Sequence, residues 1–190
     1  MNKQLAFVID LKRCIGCDTC IVGCKVENAV PPQRFRLKVY DSARDAVIER
    51  PRGTYPNLSQ YWLPTMCHHC VEAPCARACP TNTLYRRESD GMVMLEADKC
   101  VGCLRCAEAC PYDALSFDEA LGTADKCTMC AHRVEQEQAP SCAVVCPTRA
   151  IHFGDINDPK TKVAQLLAAR EHKVLAESMG AKPQIYYLEP

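Results

Sequence analysis

Four groups of closely spaced cysteines constrain this 190-residue chain more than any other feature, and they include all 16 of its cysteines. We number them as quartets one to four. Their members are Cys14, Cys17, Cys20 and Cys24; Cys67, Cys70, Cys75 and Cys79; Cys100, Cys103, Cys106 and Cys110; and Cys127, Cys130, Cys142 and Cys146. Because each quartet has four thiols and none is left over, the chain has the cysteines for four complete sets of metal-cluster ligands.

The spacing within the quartets is typical of cysteines that bind 4Fe–4S clusters. Quartets one and three both read C-x2-C-x2-C-x3-C, and in two-cluster ferredoxins the last cysteine of such a run binds the other cluster. Proline follows the last cysteine of three quartets, at Pro80, Pro111 and Pro147, whereas Lys25 follows quartet one. The sequence therefore predicts four 4Fe–4S clusters, with ligands exchanged between paired quartets.

Two other uses of cysteine explain the pattern less well. A zinc site needs four ligands around one ion, which two C-x2-C pairs supply, and it does not account for a repeated four-cysteine run. Disulfide scaffolds are typical of secreted chains, but the apolar run at 5–9 is shorter than a secretory signal requires, and no twin-arginine pair is present near the start. We therefore favour iron–sulfur ligation, which iron and zinc analysis would distinguish from a zinc scaffold.

Composition excludes several other function classes. The 23 basic and 23 acidic residues balance, so there is no positive excess for binding nucleic acid. With 48% hydrophobic residues the chain is expected to fold compactly, and no apolar stretch reaches the roughly 18 residues of a transmembrane helix. No glycine-rich nucleotide loop or Ser/His/Asp arrangement is recognisable. We therefore expect no catalytic residues.

Hydrophobic patterning predicts short strands before and after the quartets. They are expected at 5–9, 91–95, 114–117 and 150–153, with a hairpin over 83–95 that turns at 89–91. In the long cysteine-free segment 25–66, Phe35, Val39 and Tyr40 suggest a further strand. Near the C terminus we expect a helix over 159–170, capped by Asp155 or Asp158, and then a strand within 182–188.

The spacing alone leaves the pairing of the quartets open. Quartets two and three adjoin each other between Cys67 and Cys110, so they could form one two-cluster unit, around which quartets one and four would pair. In the alternative arrangement, quartet one pairs with quartet two, and quartet three pairs with quartet four.

The chain resembles the four-cluster electron-transfer subunits of bacterial molybdopterin oxidoreductases, such as polysulfide, thiosulfate and dimethyl sulfoxide reductases. The resemblance covers nearly the whole chain. It is carried by the segments at 9–17, 55–56, 67–70, 73–75, 79–81, 99–103, 109–112, 126–130, 146–148, 154–155 and 186–188.

The resemblance implies a nested pairing with four ligand sets, A to D. Set A is Cys14, Cys17, Cys20 and Cys146; set B is Cys24, Cys127, Cys130 and Cys142; set C is Cys67, Cys70, Cys75 and Cys110; set D is Cys79, Cys100, Cys103 and Cys106. The implied fold is α+β, with two pseudo-symmetric ferredoxin-like modules, one nested inside the other. The expected divisions are an outer module (1–24 plus 111–157), an insertion that forms a partner surface (25–66), an inner module (67–110) and a C-terminal extension (158–190).

The implied function is electron relay without catalysis. The expected partners are a molybdopterin-containing catalytic subunit, facing set A, and an integral membrane quinone-reactive anchor on a separate polypeptide. The complex is expected to lie on the bacterial cytoplasmic membrane, with the periplasmic face favoured through co-export with the partner. Alternatives are a relay subunit of a hydrogenase or formate-linked complex, recognisable by nickel instead of molybdenum, and a freely diffusing ferredoxin.

Several residues beside the cysteines have expected supporting roles. His68 and His69 are expected to hydrogen bond to cluster sulfur and not to bind iron, because four cysteines already saturate the cluster. Lys99 and Lys126 occupy the same position before quartets three and four, and we expect them to offset cluster charge. Trp62 is expected to serve packing, as is Tyr112.

Overall fold

A computed structural model describes residues 3–42, 54–58 and 60–189. The strands are β1 (Leu5–Asp10), β2 (Leu37–Asp41), β3 (Trp62–Met66), β4 (Leu84–Arg86), β5 (Val93–Leu95), β6 (Leu115–Asp118), β7 (Thr123–Lys126), β8 (Ile151–Asp155), β9 (His172–Lys173) and β10 (Ile185–Leu188). The α-helices are α1 (Thr19–Glu27), α2 (Pro74–Arg77), α3 (Arg105–Glu108), α4 (Ala131–Val134), α5 (Ser141–Val144) and α6 (Lys162–Ala169). The fold is a mixture of short helices and strands, as expected for the α+β class.

A four-stranded sheet in the order β8–β1–β10–β9 joins distant parts of the chain. Every residue of β1 is buried, which explains why its sequence is a continuous apolar run until Asp10. Phe7 of β1 pairs with Phe153 of the antiparallel β8 and with Ile185 of the parallel β10. The strands expected at 5–9, 150–153 and 182–188 are therefore confirmed as β1, β8 and β10.

The remaining strands form three antiparallel pairs: β2 with β3, β4 with β5, and β6 with β7. The hairpin predicted over 83–95 is confirmed, and Gly91 adopts a left-handed φ of 79° in its turn. The strand expected at 114–117 is present as β6, but its partner β7 was not predicted. In the insertion, β2 contains the expected Val39 and Tyr40, while Phe35 lies before the strand.

The C-terminal helix α6 covers one face of the four-stranded sheet. Its Val163 is fully buried against Val8 and Leu188, which confirms the apolar face that the sequence predicts. The prediction that Asp155 or Asp158 caps this helix is wrong. Thr161 is the N-cap, and its hydroxyl accepts a hydrogen bond from the Ala164 amide at 3.3 Å.

Candidate metal-cluster sites

The cysteine-bearing helices pack in two pairs. Helix α1 carries Cys20 and Cys24 and packs on α5, which carries Cys142. The hydroxyl of Ser141 donates to the Gly23 carbonyl at 3.2 Å across this contact. Helix α2, with Cys75, packs on α3, with Cys106. The structure therefore brings quartet one to quartet four, and quartet two to quartet three.

Two cavities have four cysteines each in their walls. One is lined by Cys24, Cys127, Cys130 and Cys142. The other is lined by Cys79, Cys100, Cys103 and Cys106. In each case three thiols come from one quartet and the fourth from another.

The electrostatic environment of the other thiols identifies their neighbours. Burial raises the pKa of Cys20 to about 12, and the charges of Cys14 and Cys146 add to this increase. Cys146 therefore lies near quartet one, although it belongs to quartet four.

A cysteine of quartet two also has a neighbour from another quartet. Burial raises the pKa of Cys75 to about 12, and the charges of Cys67, Cys110 and Cys70 raise it further. Cys110 of quartet three therefore lies beside three cysteines of quartet two.

A left-handed residue precedes the second cysteine of every quartet. The four φ angles are 64°, 43°, 69° and 54°, at Gly16, His69, Gly102 and Met129. Turns of this kind direct successive backbone N–H groups to one side, and such nests bind anions and iron–sulfur clusters. The repetition of this geometry, even where the residue is not glycine, fits a loop that wraps around a negatively charged group.

Hydrogen bonds to sulfur recur at the ends of two quartets. The Cys-Pro-Thr sequences at 79–81 and 146–148 both place a threonine hydroxyl near the cysteine, with Thr81 Oγ1 3.6 Å from Cys79 Sγ. The backbone amide of Thr83 also donates to Cys79 at 3.3 Å. Burial opposes ionisation of Cys79, but these donors outweigh it and lower its pKa to about 7. Donors aimed at sulfur stabilise the thiolate that iron requires.

Sequence reasoning missed a polar group beside the cavity of Cys24. The Asn28 amide lies 3.8 Å from Cys24 Sγ and 3.7 Å from Cys130 Sγ, and its oxygen accepts from Arg36 at 3.3 Å. Arg36 is in turn paired with Asp125 at 2.5 Å. Neither Asn28 nor Arg36 belongs to a cysteine motif, so no pattern in the sequence could have identified them.

The two histidines of quartet two are buried and neutral. Burial lowers the pKa of His68 to about 3, and its ring stacks on Tyr112 with centroids 3.8 Å apart. Burial also lowers the pKa of His69 well below 6.5. Its Nδ1 accepts a hydrogen bond from the Val93 amide at 2.9 Å, so the ring proton is on Nε2.

One nitrogen of each histidine lacks a hydrogen-bond partner among the described residues, namely His68 Nδ1 and His69 Nε2. Buried polar atoms are normally satisfied, and both histidines adjoin quartet-two cysteines in the sequence, so a sulfur-rich group bound there would suit these nitrogens. Tyr112 does more than pack, because its hydroxyl donates to the Leu175 carbonyl at 3.3 Å. Trp62 packs on Gly16, as predicted.

The donor set as a whole fits 4Fe–4S clusters: thiols in fours, amide nests and buried N–H groups. Among the described residues no three Cys, His, Asp or Glu side chains converge on a point suited to a single metal ion. Cys17 and Cys103 are exposed, whereas the thiols of Cys24, Cys127, Cys130 and Cys142 are all buried.

Comparison with known proteins agrees with this chemistry. The family described as "4Fe-4S dicluster domain" matches residues 58–156, just over half of the chain. A component of polysulfide reductase from Wolinella succinogenes is 38% identical, over 98% of this chain and 94% of its own length. A component of tetrathionate reductase from Salmonella typhimurium is 40% identical, over 98% and 73% respectively. The arsenate respiratory reductase iron-sulfur subunit of Shewanella sp. is 29% identical, over 97% and 96%.

No helix in the described ranges is both long and apolar enough to cross a membrane.

Proposed function

This chain belongs to the 4Fe-4S dicluster family of iron–sulfur proteins, and on that premise we propose that it is the electron-transfer subunit of a respiratory molybdopterin oxidoreductase. Bound 4Fe–4S clusters supply one-electron transfer, and the protein supplies their spacing, burial and hydrogen bonds. The relatives are named as components of reductases, which supports a relay role within a larger complex.

We propose that sets A to D are the cluster ligands. Sets B and D are the two groups of cysteines that each line one cavity. Sets A and C are supported by the mutual charge effects of Cys20 with Cys146, and of Cys75 with Cys110. Each set takes three thiols from one quartet and one from the quartet whose helix packs beside it. This crossed arrangement corresponds to an outer module (1–24 plus 111–157) around an inner one (67–110).

We infer that the four sets lie in the order A, B, C, D. Cys142 links sets A and B. Burial is the main cause of its raised pKa, the charges of the other set B cysteines add to the increase, and the charge of Cys20 in set A adds to it further. The link between B and C is Cys127, whose pKa is raised by burial and then by the charge of Cys67. Helices α2 and α3 join C to D. Electron relay requires such a continuous series of sites.

The ends of the series reach the surface, and this single observation carries the proposal most strongly. The exposed cysteines are Cys17 in set A and Cys103 in set D. Large apolar side chains are exposed near both, including Ile15 at 55% and Val101 at 65%. Exposed apolar residues beside a redox site suit a protein interface. We assign the set A end to the molybdopterin subunit and the set D end to the quinone-reactive membrane anchor.

We further propose that the complex lies on the periplasmic face of the cytoplasmic membrane, reached by co-export with the catalytic partner. Protease treatment of intact spheroplasts tests this directly. Degradation of the subunit without lysis is expected. Protection until lysis would place it on the cytoplasmic face.

Purification of the complex through an affinity tag on this chain tests the function. We expect about 16 iron atoms per chain from four clusters, and molybdenum in the co-purifying subunit. Nickel without molybdenum would support the hydrogenase alternative, which the names of the three relatives do not favour. Zinc in place of iron, or an isolated monomer that accepts electrons but has no partner, would contradict the proposal.

A further inference from the structure

Lys126 is a charged residue in an unusual position. Only 2% of its surface is exposed, although lysine is almost never fully buried without a partner charge. Its Nζ donates to the Cys127 carbonyl at 2.9 Å and to the Val93 carbonyl. Both acceptors are neutral, and no carboxylate in the described part of the chain is at ion-pair distance from this nitrogen. Two carbonyls alone do not offset the cost of burying an ammonium group, which is several kcal/mol.

The Lys126 ammonium lies where cysteine sets B and C meet, and these sets are the source of negative charge near it. Lys126 precedes Cys127 of set B, and its acceptor Val93 packs in one buried cluster with Cys70 and Cys75 of set C. Val93 fixes the ammonium from the inner module, because its carbonyl accepts from Lys126 while its amide donates to His69. The ammonium is therefore held by carbonyls from two segments, at the boundary between sets B and C.

His69 does not compete as a second cation at this boundary. Its Nδ1 accepts a hydrogen bond from the Val93 amide and therefore carries no proton, so the ring is neutral and Lys126 is the positive charge at this point.

We propose that Lys126 is the shared counter-charge of the two middle clusters, and that it raises the reduction potentials of both while leaving those of the end clusters unchanged. This inference rests on the proposed ligand sets and relay function. A cubane with four thiolates carries about −2, and reduction adds one more negative charge, so a buried cation nearby favours the reduced form. One ammonium between two clusters raises both potentials.

Lys99 offers a matched control. It occupies the same position before quartet three as Lys126 does before quartet four. In contrast to Lys126, its side chain is 64% exposed and pairs with Glu96, so the structure does not support the charge-offsetting role that its sequence position predicts. Solvent and Glu96 screen its charge, so its removal is expected to leave all four potentials in place.

The experiment is an EPR-monitored redox titration of the purified complex with Lys126→Met, Lys126→Arg and Lys99→Met. The spectra of Cys142→Ser and Cys75→Ser identify the signals of sets B and C. We expect Lys126→Met to keep its iron and to weaken reduction of both middle clusters at least tenfold, which is 59 mV for one electron. In Lys126→Arg and Lys99→Met, the equilibrium constants for reduction of these clusters should stay within about twofold of the wild-type values.

Several results would overturn the inference: no shift in Lys126→Met, a shift in set B alone, or equal shifts in all four clusters. If Lys126→Met fails to retain iron, Lys126→Arg decides, because a counter-charge role requires this variant to keep its iron and its potentials. Loss of iron from both variants would indicate a purely structural role. Failure of the relay proposal is distinguishable, since the wild-type complex itself would then lack four cluster signals.

Discussion

The side-chain amide of Asn28 lies 3.7 Å from Sγ of Cys130, although the two residues are 102 positions apart. The same amide lies 3.8 Å from Cys24 Sγ, so one side chain contacts two sulfurs that come from different quartets. Hydrogen bonds to ligating sulfur raise the potential of an iron–sulfur cluster, because they stabilise the extra negative charge of the reduced state. Asn28 is therefore placed to tune the cluster that we assign to set B.

Replacement Asn28→Leu removes both donors while keeping the size of the side chain. We expect reduction of the set B cluster to weaken by roughly fivefold, which corresponds to about 1 kcal/mol for a modest loss of hydrogen bonding. Redox titration measures the change. Thr19→Val is the control, because the Thr19 hydroxyl lies 3.4 Å from Cys17 and should affect set A. A shift of the same cluster in both variants would contradict the assignment.

Gly16→Ala should destabilise the loop of quartet one. Gly16 has a φ of 64°, and an added Cβ would lie 2.4 Å from Nε1 of Trp62. Gly180 is a matched control, since it has a φ of 65° and a Cβ added there would meet no atom within 4 Å. We expect Gly180→Ala to lower the apparent Tm by about 2–4 °C, from roughly 1 kcal/mol of backbone strain, and Gly16→Ala by at least twice as much.

A double variant separates the two causes. Adding Trp62→Ala to Gly16→Ala should recover part of the lost Tm, because the indole no longer meets the new methyl group. Equal Tm values for Gly16→Ala and Gly180→Ala would show that the contact with Trp62 has no effect.

The ion pair between Arg36 and Asp125 should matter for stability. Both side chains are largely buried, at 17% and 10% exposure, and their atoms approach to 2.5 Å. Arg36→Met would leave a buried carboxylate, which typically costs about 3–5 kcal/mol. Arg34 remains 3.9 Å from Asp125, so we expect the lower part of this range and a Tm decrease of about 6–12 °C.

The controls for this prediction use both partners and an exposed pair. Arg36→Met with Asp125→Asn should be more stable than Arg36→Met alone, because no unpaired charge remains. Lys38→Met removes the exposed pair with Asp113 and should cost less than about 1 kcal/mol. A smaller decrease in stability for Arg36→Met than for Lys38→Met would contradict this account.

Local sequence patterns were sufficient for much of the fold. The apolar run of β1 and the hairpin of β4 and β5 could be predicted because their signals lie within a few adjacent residues. Strand β7 could not, because its Asp125 and Lys126 read as exposed polar residues. Their burial involves partners from distant parts of the chain, because Arg36 pairs with Asp125 and the Val93 carbonyl accepts from Lys126.

The candidate sites, like the fold, could be predicted where the signal is local and not where it depends on tertiary contacts. Spacing identifies all 16 cysteines as ligands, but the spatial relation between quartets depends on how α1 packs on α5 and α2 on α3, which no local pattern encodes. Asn28 and Arg36 lie in the insertion, outside any motif, and their relevance depends on tertiary contacts. The left-handed backbone at His69 and Met129 was also invisible, because glycine, the usual signal, is absent there.

The crossed ligation of quartets one and four is the central claim, and a reciprocal pair of variants tests it most directly. The measurement is EPR of the reduced complex with Cys146→Ser and, separately, with Cys24→Ser. We predict that Cys146→Ser alters the cluster held by Cys14, Cys17 and Cys20, and that Cys24→Ser alters the one held by Cys127, Cys130 and Cys142. If Cys146→Ser instead removes the signal of the Cys127 cluster and leaves that of the Cys14 cluster unchanged, the proposed ligand sets are wrong.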